Sequence, residues 1–148
     1  MATLCPMTIV EAKIEEINKL LDLGKHYEIF TILNELMKEY GNDENIVRLL
    51  ASVTFKLLLK SEKYRYTELI QHIMNKAESD FFDPTLCSYV VGILLLLETD
   101  TKDEVIINIA ERMIAMAPDL LKKIMNQLPK DIFRPQLKEK IQRELSLK

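Results

Sequence analysis

The longest apolar run of this chain lies in residues 84–98, PTLCSYVVGILLLLE. Asp83 and Pro84 open the segment, and these residue types are favoured at the N-cap and in the first turn of a helix. A helix over this segment would be apolar on nearly all sides, so it must be surrounded by other helices. The nine residues from Tyr89 to Leu97 are too few to span a bilayer, which takes about 18. We therefore expect a buried central helix and no insertion into a membrane.

Helices are also predicted on both sides of this segment, because apolar residues recur at helical spacing along nearly the whole chain. Thr8 with Glu11 is typical of a capping box, and Gly24 and Gly41 follow the first two apolar runs, where helices commonly end. The 148 residues include only three glycines and five prolines, too few for the tight turns of an all-β fold. The sequence predicts an all-α fold of about eight helices. They form hairpins at about 8–40, 44–79, 84–117 and 119–146.

The predicted helices are related by a repeat of about 36 residues. A shift of 37 residues places the second helix on the fourth, a further 36 reaches the sixth, and similar offsets relate the third helix to the fifth. Because similar offsets serve both helices of a hairpin, we interpret residues 1–148 as a single domain, a right-handed α-solenoid of four hairpins. Three sets are aligned: Ile32, Leu33, Leu36, Met37 and Tyr40; Leu69, Ile70, Ile73, Met74 and Ala77; Val105, Ile106, Ile109, Ala110 and Met113.

Residues 20–30, LLDLGKHYEIF, resemble the tetratricopeptide repeat. Leu23, Gly24 and Tyr27 match the residues that this family places around its interhelical turn, and Tyr64 repeats Tyr27 at the 37-residue offset. A HEAT- or armadillo-like solenoid is the alternative, since the repeats here are longer than about 34 residues. Either resemblance implies a non-enzymatic surface that binds another macromolecule.

A polar surface is predicted on the second helices of the hairpins, because stacked repeats place equivalent residues side by side. It would bind a peptide or helix of a partner protein if it lies on the concave side, and an ordinary solvated face is the alternative interpretation. We name it the even-helix surface, and its residues are Glu35, Glu39, His72, Lys76, Asn108 and Arg112.

Two small residues, Ser88 and Gly92, interrupt the bulky side chains of the central helix. They lie one turn apart and therefore on the same face of the helix. Small residues leave room for a close approach, and the approaching group is more often another helix than a ligand. We expect a neighbouring helix to pack here.

Catalytic and metal-binding motifs are missing from the sequence. His26 and His72 lie on different predicted hairpins without a Cys or His at metal-ligand spacing, and there is no phosphate-binding glycine loop. We expect no enzymatic activity, no metal and no cofactor. Cys5 and Cys87 form no paired framework, and the N-terminus lacks the features of a signal peptide. These features predict a cytoplasmic, reducing location.

The charge distribution leaves two alternatives to a protein-binding adaptor or scaffold. Residues 1–118 have a net charge of −7 and residues 119–148 of +4. The basic end could bind nucleic acid, although the acidic remainder disfavours this. A structural homodimer formed through the leucine-rich central helix is the other alternative. The basic residues that motivate the nucleic-acid alternative are Lys122, Lys123, Lys130, Arg134, Lys138, Lys140 and Arg143.

Overall fold

The computed structural model contains α-helices and no β-strand in the part of the chain that it describes, so the predicted all-α class is confirmed. None of these helices is both long and apolar enough to cross a membrane. The described residues are 6–60, 67–79, 83–97, 101–132 and 134–147.

Eight helices occur within these ranges, and their bounds agree with the predicted hairpins to within two residues. The prediction for the start of the first helix was wrong, because the helix begins at Pro6 and Thr8 therefore lies inside its first turn. The helices are α1 Pro6–Asp22, α2 His26–Tyr40, α3 Glu44–Lys60, α4 Thr67–Ser79, α5 Pro84–Leu96, α6 Asp103–Met116, α7 Pro118–Gln127 and α8 Pro135–Ser146.

The predicted signals at the C-terminal end of α1 and at the N-terminal end of α5 are both confirmed. Gly24 has a φ of 71°, and the amides of Gly24 and Lys25 donate to the carbonyls of Leu21 and Leu20 at 3.2 and 2.9 Å. This is a Schellman motif, which favours glycine because its first residue after the helix is left-handed. At the start of α5 a carboxylate oxygen of Asp83 accepts a hydrogen bond from the backbone amide of residue 86 at 2.9 Å. Both helix ends therefore have the local chemistry that their sequences indicate.

Gly41 ends α2 as predicted, but for a different reason. Its φ is −64°, which any residue adopts. A Cβ atom at this position would meet the backbone carbonyl of Met37, and would lie only 2.9 Å from the imidazole nitrogen of His72. Glycine therefore makes room for the packing of α4 on the end of α2.

The central position of α5 is confirmed, since it packs on α3, α4, α6 and α7 and nine of its 13 residues are buried. Within the described ranges, substantial contacts join only helices that are neighbours or next neighbours in the chain. Among the first helices of the hairpins, α3, α5 and α7 pack in a row. Among the second helices, α2 packs on α4 and α6 packs on α8.

Gly92 allows two neighbouring helices to approach α5 closely. A Cβ atom there would lie 2.6 Å from a ring carbon of Phe55 on α3, and 2.7 Å from the Cγ2 atom of Ile124 on α7. Both side chains are almost completely buried. The expected close packing is therefore confirmed at Gly92, and the space there is occupied by side chains of the two flanking helices.

Replacing Gly92 by alanine should destabilise the fold despite the better helix propensity of alanine. The added methyl group has no free space, and overpacking of a core typically costs about 1–3 kcal/mol, against a propensity gain of at most about 1 kcal/mol. We expect a net fall in the free energy of unfolding, measured by urea denaturation. In the double variant with Phe55→Leu the loss should be smaller than the sum of the two single losses. Additive losses, or a more stable Gly92→Ala variant, would contradict this packing.

Candidate functional site

The even-helix surface is divided in the structure. Glu35 and Glu39 are exposed on α2, His72 and Lys76 are half-buried on α4, and these two helices pack together. The remaining residues of the surface, Asn108 and Arg112, are exposed on α6. Within the described residues α4 and α6 are not closely packed on each other, although both contact α5. The first four residues of the surface therefore lie on two helices that pack on each other. The last two lie on α6, which does not pack closely on α4.

His72 has a structural contact within this surface. Its Nε2 atom lies 2.7 Å from the backbone oxygen of Gly41. Because a carbonyl oxygen only accepts hydrogen bonds, Nε2 carries the proton and donates it. The bond satisfies a carbonyl at the C-terminal end of α2, where helix carbonyls lack intrahelical partners. His72 therefore fixes α4 against α2.

A surface cleft of about 590 Å³ lies between α2 and the N-terminal end of α4. Among the described residues, the aromatic side chains of Tyr27 and Phe30 contribute to it, and Tyr27 is 65% exposed. Glu35 is the member of the even-helix surface that lies in the cleft. We name it the α2–α4 cleft, and it is lined by Tyr27, Phe30, Thr31, Asn34, Glu35, Lys38, Thr67 and Glu68.

The polar side chains of the cleft differ in what they can offer a ligand. The hydroxyl of Thr31 donates to the carbonyl of Tyr27, and an amide N–H of Asn34 donates to the carbonyl of Phe30, both at 3.1 Å. The hydroxyl hydrogen of Thr31 and one of the two amide hydrogens of Asn34 are therefore used by the backbone of α2. Their oxygens remain as acceptors beside the carboxylates of Glu35 and Glu68.

Most of the cleft residues were missed by the sequence analysis. Tyr27, Thr31, Asn34 and Lys38 follow each other at spacings of four, three and four residues, which places them on one face of a helix. The repeat alignment did not identify these four residues, because it selected positions that are equivalent between hairpins. The tetratricopeptide resemblance assigned Tyr27 to the interhelical turn, yet Tyr27 and Leu23 are both largely exposed. Its repeat counterpart Tyr64 lies outside the described residues.

The basic C-terminal end is partly engaged in the fold. Arg134 forms an ion pair with Asp103 on α6, with 2.6 Å between Nη1 and Oδ1. The ammonium group of Lys138 donates to the carbonyl of Pro129 at 3.2 Å. These contacts tie the start of α8 to the preceding hairpin and to the α7–α8 connection. Among the described residues, the exposed cations at this end are Lys123, Lys130, Lys140 and Arg143.

Cys87 is a buried free thiol on α5. Burial is the main cause that raises the pKa of its thiol, because the charged thiolate would lose its hydration. A raised pKa keeps the sulfur protonated and poorly nucleophilic at neutral pH. In the described residues there is no group of three His, Cys, Asp or Glu side chains that could hold a metal ion.

No protein-family model matches the chain, and comparisons with curated proteins and with solved structures found no match.

The buried thiol predicts a loss of stability at alkaline pH. Above the ordinary cysteine pKa of about 8.5 the unfolded chain releases the Cys87 proton while the folded chain retains it, so the free energy of unfolding falls as pH rises. Below that pH this contribution to stability is complete. Urea denaturation between about pH 8 and pH 10 should show a steeper fall for the parent chain than for Cys87→Ala. Equal slopes in the two proteins would contradict the shielded position of this thiol.

Proposed function

We propose that this protein is a non-enzymatic adaptor or complex subunit that binds a peptide or helix of a partner protein in the α2–α4 cleft. The cleft itself carries the proposal, because it combines an exposed tyrosine, a second aromatic side chain and several polar groups in one concavity. Tyrosine is enriched at protein interfaces, where its ring supplies contact area and its hydroxyl a hydrogen bond. Such a concave surface suits an inserted segment of a partner.

A right-handed α-solenoid of helical-hairpin repeats, similar to tetratricopeptide or HEAT repeats, is part of this proposal. The contacts between neighbouring and next-neighbouring helices support it, since each repeat of a solenoid packs only on adjacent repeats. Such proteins commonly use an extended surface for binding other macromolecules. We also expect this protein to be located in the cytoplasm.

The two alternative functions have weaker support from the described residues. A homodimer through α5 would need an accessible α5, but four helices enclose it. Nucleic-acid binding through the basic end has four exposed cations in its favour. Two further cations of this end are engaged with Asp103 and with the carbonyl of Pro129. A partner protein in the cleft is therefore the function that the geometry supports best.

Substitution of the cleft should release a partner without unfolding the chain. We expect Tyr27→Ala combined with Glu35→Lys to reduce capture of at least one protein from native lysate by about tenfold, which corresponds to about 1.4 kcal/mol of binding free energy. Both residues are exposed, so the melting temperature should change little. Glu111→Lys on α6 is the matched control, because it makes the same charge change on an exposed helix face away from the cleft.

The same experiment separates the alternatives. Quantitative mass spectrometry is performed on captures with and without nuclease. Equal recovery of every partner by the cleft variant and the control would refute binding in the cleft. Partners that disappear only after nuclease treatment would instead favour the basic C-terminal end.

A second comparison uses Glu39→Lys and Lys76→Glu, which should weaken binding if the partner extends from the cleft along the even-helix surface.

A further inference from the structure

The outer side of α1 is only partly covered by the rest of the fold. In the described part of the chain α1 packs closely on α2 alone, and Ile17 is the one fully buried side chain among residues 11–22. Ile14 and Leu21 are seven residues apart, which places them on one stripe of the helix, and both are only partly buried. An apolar edge of α1 is therefore accessible at this end of the fold.

Acidic side chains border this apolar edge. Glu11, Glu15 and Asp22 are exposed at spacings of four and seven residues, so they lie along one side of the stripe. None of the three forms an ion pair within the described ranges, and the neighbouring Lys13 is paired with Glu16 at 3.5 Å. We name this surface the α1 face, and its residues are Glu11, Ile14, Glu15, Leu21 and Asp22.

The outer side of α8 combines an apolar side chain with the opposite charge. Lys140, Arg143 and Leu147 are exposed and follow each other at spacings of three and four residues, which places them on one stripe. Leu147 is 84% exposed and has right-handed helical backbone angles, so it extends this stripe beyond the last turn of α8. The buried side chains of α8 lie on its opposite side, where it packs on α6 and α7. We name these three residues the α8 face.

The two ends of the chain have opposite net charges when every residue is counted. Residues 1–40 contain seven acidic and four basic side chains, whereas residues 119–148 contain four acidic and eight basic ones. Over the described residues α1 and α8 do not pack closely on each other, so the two faces do not cover each other within one chain. Complementary charges on two surfaces steer their encounter and select their relative orientation.

We propose that the α1 face binds the α8 face of a second copy of this chain, so that copies associate head to tail. A second copy fits because it brings the complementary charge and the complementary apolar side chain together. Leu147 of one copy would lie between Ile14 and Leu21 of the other. Lys140 and Arg143 would pair with the carboxylates that border the stripe. Exposed ion pairs contribute little individually, so this association is weak and reversible. It is independent of the α2–α4 cleft.

Sedimentation velocity of the purified, nuclease-treated full chain measures this association directly. We expect the sedimentation coefficient to rise between about 10 μM and about 1 mM protein at about 50 mM salt. At about 500 mM salt the association constant should be about tenfold lower, because screening weakens exposed charge pairs.

Two charge-reversed variants test the pairing of the faces. The α1 variant is Glu15→Lys/Asp22→Lys, and the α8 variant is Lys140→Glu/Arg143→Glu. Each variant alone carries like charges on both faces, so its self-association should be at least about tenfold weaker than that of the parent. An equimolar mixture of the two variants brings a basic α1 face to an acidic α8 face, and association should return.

The control variant is Glu104→Lys/Glu111→Lys, which makes the same change in charge on exposed positions of α6 and should associate like the parent. Association that returns in the mixture also shows that neither variant has unfolded. A monomer at every concentration, variants that associate as tightly as the parent, or a mixture as weak as its components would overturn the inference. Association that is lost after nuclease treatment would also overturn it and would assign the cations of α8 to nucleic acid.

Discussion

The close approach of α3 and α7 to the small face of α5 is the constraint on which the rest of this fold depends. Phe55 and Ile124 occupy the space that a side chain at position 92 would need. Glycine at this position thereby allows short distances between α5 and its neighbours α3 and α7. Protein interiors are densely packed, so an extra methyl group at position 92 would find no free space. The second helices of the hairpins pack on this row, and α2 with α4 forms the wall of the cleft. The geometry of the surface is thus a consequence of packing in the core.

The helices and most of their ends could be predicted from the sequence, because the causes are local; the start of α1 at Pro6 is an exception. Apolar spacing defines each helix, the left-handed Gly24 ends α1, and Asp83 caps α5 through its own side chain. The burial of α5 followed from its composition, since an all-apolar helix has no face suited to water. Gly41 shows the limit of such reasoning. Its role depends on His72, which is 31 residues away in the chain.

The α2–α4 cleft could be predicted only in part, because it is formed by two helices whose relative placement no local pattern specifies. Glu35 was identified through the repeat, while Phe30 and Glu68 have no signal of their own in the sequence. Tyr27 was identified in the sequence, but the tetratricopeptide resemblance assigned it to the interhelical turn. It was therefore not predicted to be an exposed residue of a cleft. The repeat alignment also grouped α6 with α2 and α4. In the structure α6 does not pack closely on α4, so Asn108 and Arg112 do not continue the surface of α2 and α4. Sequence equivalence identifies rows of residues, and packing determines which rows form one surface.

The central claim is that the α2–α4 cleft is the surface on which a partner protein binds. The most direct measurement is a titration of the ¹⁵N-labelled chain with its captured partner, monitored through the chemical-shift changes of the backbone amides. The account predicts that the largest changes cluster in residues 27–38 and at Thr67 and Glu68, with smaller changes in α7 and α8. Changes concentrated in the basic residues of α7 and α8, with the cleft amides unmoved, would contradict it.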